Sequence, residues 1–342
     1  MKHKKIFLIS TLVFAFVFIA AKNFSNPLKK QDWDTDTYVY KALALLGDTK
    51  PVFFIEDVDP GMITKGYDLV HYGRTVSPNG GKSKYISLYY VCTNCHNTVI
   101  EDPILTDFDP QARLEFAVAN NLPFLQGTTF YGTANRESWY NDDYYKKYGD
   151  LVRPAQKDIR EAIQLCAKEC SKGRYLEEWE VTAILSYYYS ISYKMKDLGF
   201  SEADMKELNE TKKNTNEHAN LIAFIKSKYS LKSPAHWLEP PYEAGSNMPS
   251  GNPENGKLIY EYSCQQCHKA YGVSDVVFED SKLQFKSFQK SFEKNYWWLY
   301  GIIRHGTYGY PGHEPYMPLY TAERMSNQQV EDLKMYILQQ AQ

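Results

Sequence analysis

An excess of charge of either sign is missing from this chain: 39 Lys and Arg stand against 41 Asp and Glu in 342 residues, a formal net charge of -2. Without a basic field the composition gives no reason to expect nucleic acid, and no acidic tail argues for a solvating arm. Long apolar runs are also missing after about residue 25. The single run, from Ile6 to Ala21, covers 16 residues, short of the ~20 that a spanning helix needs. Cysteine is scarce, with six in all, and four of the six fall in two five-residue motifs.

The apolar run follows Met1-Lys2-His3-Lys4-Lys5, a charged n-region ahead of an h-region. Residues 1–25 are therefore expected to be a signal peptide or an N-terminal anchor, with Ile19-Ala20-Ala21 as a fair cleavage site. The rest is expected in the periplasm or an equivalent space, soluble or held at the inner membrane through residues 6–21.

The two motifs are Cys92-Thr93-Asn94-Cys95-His96 and Cys264-Gln265-Gln266-Cys267-His268. Covalent haem attachment needs two thiols spaced to meet two vinyl groups and a His placed to approach the iron; Cys-x-x-Cys-His supplies both. Zinc sites bring their Cys pairs closer together in sequence, and redox dithiols of the thioredoxin kind sit in a βαβ context that is absent here. The expected cofactors are two covalently attached haem c groups, held by Cys92, Cys95, Cys264 and Cys267, with His96 and His268 as proximal iron ligands.

In small cytochrome c domains a helix carrying a Gly leads into the motif and a C-terminal helix crosses it. Gly256-Lys257-Leu258-Ile259-Tyr260 precedes the second motif, and Ser326 with Gln329 forms a capping box before Val330, Leu333 and Ile337. Gly66-Tyr67-Asp68-Leu69-Val70 precedes the first, but 26 positions separate Gly66 from Cys92 and they include the breaker Pro78-Asn79-Gly80-Gly81. A closing helix from Leu176 to about Tyr193 follows, its run Tyr187-Tyr188-Tyr189 expected to pack in the core and at the haem edge. The fold class expected is mainly α, two tandem cytochrome c class I-like domains at 26–196 and 246–342. A helical connector at 197–245 would join them.

The distal side of each iron separates the two halves. Met317-Pro318 lies 49 residues after His268 and nominates Met317 as a ligand suited to electron transfer, with His305, His313 and Met325 as rivals. Between Asn97 and Lys194 there is no Met and no His. The soft donors there are Cys166 and Cys170. Three outcomes stay open: Cys166 as thiolate ligand, a Cys166–Cys170 disulfide, or an iron left open or ligated by His71. A regular helix sets residues four apart ~5–6 Å between Cβ atoms, beyond the ~3.5–4.5 Å of a disulfide, so the bridge requires the helix to break.

The segment Ile163-Gln164-Leu165-Cys166, with Gly173 and Leu176 following and an acidic start at Glu177 to Glu180, resembles the thiosulfate dehydrogenase family and related cysteine-ligated sulfur-oxidation cytochromes. The resemblance spans about residues 60–195 and 250–340. It implies that Cys166 is the axial ligand of a catalytic haem. Cys170, and the 70 positions between His96 and Cys166, depart from that pattern. The resemblance implies oxidation of a small sulfur anion at the first haem, with Arg136, Arg153, Arg160 and Arg174 as candidate anion-binding cations. The second haem would deliver electrons to a redox partner cytochrome or respiratory complex. Against this stands a pure electron carrier with no substrate, and, if the two thiols are bridged, a ligand sensor or peroxidase.

Overall fold

A computed structural model describes residues 32–232, 236–237, 239–240, 248–308 and 316–342. The N-terminal run and His313 lie outside the described residues. No described helix is long and apolar enough to cross a membrane.

The chain is mainly helical, as the periodicity predicts. Its α-helices of seven residues or more are α1 (Val39–Leu46), α2 (Pro60–Tyr72), α3 (Pro110–Ala119), α4 (Ile159–Leu165), α5 (Glu178–Ser190), α6 (Glu202–Thr211), α7 (His218–Lys226), α8 (Pro253–Ile259), α9 (Lys282–Lys294), α10 (Trp298–His305) and α11 (Asn327–Gln340). Three of them, α2, α3 and α8, start on one device. Asp59, Asp109 or Asn252 caps the first turn and Pro stands directly after it, where no N–H is needed. Ser326 and Gln329 make the reciprocal cap that their spacing predicts on α11, and Ser201 and Asp204 do the same on α6.

Two helix crossings organise the molecule, α2 against α5 and α8 against α11. Each contact is made at a glycine. A methyl group on Gly66 would lie 2.0 Å from the Ala183 carbonyl oxygen, and one on Gly256 would lie 2.0 Å from that of Asp332. Any side chain there would force the helices apart. The crossing thus fixes where each Cys-x-x-Cys-His motif emerges.

The buried apolar residues form separate cores. Leu69, Val70, Val181, Ile184, Tyr188 and Ile163 fill the first. Ile259, Tyr260, Tyr300, Ile303, Val330 and Leu333 fill the second. Leu114, Ala117 and Phe124 also belong to the second core, although they lie 140 or more positions before Cys264 in the stretch expected to be part of the first domain. Apolar partners lost from one face of α3 therefore come from the other half of the chain. The helices α6 and α7, expected as a connector, pack with α1 and Trp33 into a further core. Helix α1 escaped the sequence reading, although Val39, Leu43 and Leu46 carry a helical spacing.

A buried ionic cluster ties the halves. Arg324 pairs with Glu101 at 2.8 Å, both about 1% exposed, and Arg113 donates to the Arg324 carbonyl oxygen. Arg324 also reaches the Leu125 carbonyl at 3.0 Å.

Candidate functional site

Both motif histidines are set by the same local arrangement. His96 Nδ1 hydrogen-bonds the Thr128 carbonyl oxygen at 2.6 Å, and the ring stacks on Phe130 with centroids 4.3 Å apart. His268 Nδ1 bonds the Val276 carbonyl at 2.8 Å and stacks on Phe278 at 4.1 Å. With Nδ1–H donated to a carbonyl, Nε2 keeps its lone pair for a metal. Burial pushes the His96 imidazole down to about 4 and lowers His268 as well, so both rings are neutral near pH 7. The residues fit a covalently attached haem: in each motif two thiols are available for its vinyl groups and one oriented neutral imidazole for its iron.

The motifs differ in backbone. Cys92–Asn94 is a 3-10 turn after a long loop, whereas Tyr260–Cys264 is a π turn continued by a short helix at Gln265–His268. The Gly66-to-Cys92 insertion is therefore a real structural difference. Part of it packs below the site: Ile86 is in the first core, and its carbonyl accepts from the Arg174 N–H at 3.0 Å.

A cavity of about 1390 Å³, counting its open mouth, carries Cys92, Cys95 and His96 on its wall. Phe130, Trp139, Ile163, Leu176, Ile184 and Tyr188 supply its apolar surface. Tyr188 stacks on Phe130, centroids 4.7 Å apart, which extends the His96 stack. The aromatic run 187–189 is buried as expected.

Cys166 and Cys170 both line this cavity, and they are not joined by a disulfide. The helix expected through Cys166 is α only as far as Leu165; Cys166–Cys170 is a π turn, closed by the Ser171 N–H on the Cys166 carbonyl at 2.9 Å. The surroundings also redistribute the roles the sequence suggests. Cys166 donates to Cys170, and that bond together with burial pushes Cys166 well up. Cys170 is pulled down to about 6, first by this hydrogen bond, then by Tyr148 and Tyr140 and by the charge of Lys147, against the opposing effect of burial. The Tyr148 hydroxyl is 3.3 Å from Cys170 Sγ and that of Tyr140 is 3.9 Å away. Cys170, not Cys166, is where a thiolate is stabilised within the pair.

Tyr140, Tyr144, Lys147 and Tyr148 were missed in the sequence. Their signal was the recurrence of Tyr every four positions, inside the long stretch between His96 and Cys166. Among the four arginines nominated, Arg136 lines the cavity. Arg153 bonds Asp150, Arg160 bonds Glu178, and Arg174 clamps the buried Glu180 at 2.6 Å. His71 stacks on Tyr67 at 4.1 Å and meets the Tyr187 hydroxyl at 3.2 Å, and it does not line the cavity.

Met317 sits on a two-stranded antiparallel hairpin, Thr307–Tyr308 with Tyr316–Met317, in which Thr307 pairs with Met317. Gly306, at φ 71°, lets the Met317 carbonyl pass 2.1 Å from where a Cβ would stand. The Met317 side chain packs on the second core, as Cys264 does. Met325 is buried in that core, and His305 lies 3.6 Å from Glu239. The next residues, Pro318 and Leu319, line the first cavity. The hairpin that carries Met317 thus borders the first cavity.

Residues 253–341 match the family model for cytochrome c. This region is a cytochrome c domain, a module that binds haem c covalently and transfers electrons. No curated protein and no solved structure matches the chain.

Proposed function

We propose that the chain is a dihaem c-type cytochrome whose first site oxidises a small sulfur anion and whose second site hands the electrons on. The observation that carries this reading is the content of the first cavity: an attachment motif, two sulfurs and the cations Lys147 and Arg136 in one otherwise apolar space.

In this reading Cys92 and Cys95 would hold the first haem through thioethers and His96 Nε2 would ligate its iron; Cys264, Cys267 and His268 would do the same for the second, with Met317 as a further ligand. When bound, each haem accepts and releases one electron at a time. Lys147 and Arg136 attract the anion into the cavity. Trp139, Ile163 and Leu176 keep water from it. Cys166 is the sulfur nearest in role to the ligand cysteine of the thiosulfate dehydrogenase family. Joining two thiosulfates through sulfur releases two electrons, which two sites can take one apiece. The electrons leave to a redox partner cytochrome or respiratory complex, in the periplasm.

The cytochrome c match at residues 253–341 is equally what a pure electron carrier would show. Anaerobic addition of thiosulfate to the fully oxidised protein separates the two readings. Growth of the reduced haem bands, lost in Cys166→Ala, is the expected result. Bands that stay oxidised with thiosulfate but are reduced by dithionite would leave the carrier.

A further inference from the structure

Cys170 has no part in that reading, yet its surroundings are the more specialised of the two. In a regular α-helix, residues four apart are too far from each other to exchange a bond between sulfurs. The segment Cys166–Cys170 is not such a helix: it is a π turn, closed by the Ser171 N–H on the Cys166 carbonyl at 2.9 Å. The two thiols stand on the wall of one cavity. The chain then leaves the helix through Lys172, at φ 53°, and Gly173.

The pair is also asymmetric. The Tyr148 and Tyr140 hydroxyls both point to Cys170 Sγ, at 3.3 and 3.9 Å, and Lys147 shares the cavity wall. Cys166 has Cys170 as its hydrogen-bond partner and lies beside Ile163 and Ala167 on the wall that also carries Cys92 and Cys95. In a disulfide between them Cys170 is the better leaving sulfur and Cys166 the sulfur open to attack.

We propose that Cys166 and Cys170 are a redox-active dithiol that takes electrons from an external thiol and delivers them to the first haem. This rests on the dihaem reading but not on thiosulfate as the substrate. Oxidation of the pair breaks two S–H bonds and forms one S–S bond. Two protons leave to solvent, and the two electrons reduce two ferric haem irons, one each. An external thiolate then attacks Cys166 Sγ, the S–S bond breaks, and Cys170 departs as a thiolate held by Tyr140 and Tyr148. A second external thiol attacks the external sulfur of the mixed disulfide and releases Cys166. The sum is two thiols converted to one disulfide and two protons, with two irons reduced.

The test is an electron count on the intact holoprotein. Haem content is first measured by alkaline pyridine absorbance, which alone decides whether the chain carries two haems. The protein is then oxidised with ferricyanide, desalted and titrated anaerobically with dithionite. Wild type is expected to take up two electrons more than its haem count, and Cys166→Ser and Cys170→Ser only as many as their haems. Maleimide labelling of wild type, which does not depend on how the variants fold, should add two labels after reduction and none after oxidation. Dithiothreitol should reduce the wild-type haems several-fold faster than those of either variant. Uptake equal to the haem count in wild type, or labelling of both thiols in the oxidised protein, overturns the proposal. A haem count of one sinks the dihaem reading instead, while the two-electron difference between wild type and variants still judges the dithiol.

Discussion

The two Cys-x-x-Cys-His regions share their framework and differ in what surrounds it. In each, a glycine lets a leading helix touch the carbonyl of a closing helix, and a backbone carbonyl and a phenylalanine fix the motif histidine. Around the first motif, the long segment between His96 and α5 builds a cavity wall with two sulfurs, tyrosines and a lysine. Around the second, a hairpin carries Met317. The contacts that orient each motif histidine are few and local, and those recur. The two regions part in the side chains built around that framework.

The comparison can be broken most severely at the thiols. Cys92→Ala with Cys95→Ala should remove one covalently bound haem from the intact mass and leave the second; Cys264→Ala with Cys267→Ala should give the mirror result. A mass unchanged by the first pair would reduce the molecule to a single haem site. A smaller effect is expected at the joint between the regions. Arg324→Met strands buried Glu101 and should cost ~3–5 kcal/mol in urea unfolding.

The same joint predicts acid sensitivity. Burial pushes Glu101 up, but Arg324, Arg113 and hydrogen bonds from Arg324 and Asn97 outweigh it and hold the carboxyl below its usual range. A carboxyl held down in the folded state adds stability that is complete above the usual carboxylate pKa. That stability is lost as pH falls through the lowered value. Glu101→Gln should flatten the acid limb of a stability-against-pH curve and leave the neutral limb parallel to wild type.

The crossings sharpen the likeness of the two regions. Gly66→Ala and Gly256→Ala should each cost ~1–3 kcal/mol, by similar amounts, because both place a methyl against a helix carbonyl. Unequal costs would mean that one crossing relaxes more easily. The smallest effect is expected at Arg153, exposed and paired with Asp150. Arg153→Ala should leave the urea midpoint and the thiosulfate response within error of wild type.

Much of this architecture is legible in the residues. The motifs, the glycines at 66 and 256 and the cap at Ser326 act through local geometry, so spacing alone reveals them. Cys166 and Cys170 were found by elimination, from the lack of Met and His around them. Their division of labour was not legible, because a π turn and an α-helix have the same apolar spacing over five residues. Tyr140 and Tyr148 act on Cys170 across a fold that brings distant turns together. Helix α3 was misplaced for a related reason: an amphipathic helix shows that it has a buried face, not which core receives it.

That last feature reaches beyond the sites. Because Leu114, Ala117 and Phe124 are stitched into the far core, the chain is laced through itself, and the helices between residues 197 and 232 do not divide two independent cores. Proteolytic nicking there should leave two fragments that travel together on gel filtration and melt in one transition. Residues 248–342 made alone should leave bare the surface that α3 covers. Synthesis offers no such shortcut either: the earlier half must wait for the later half before its own middle helix can come to rest.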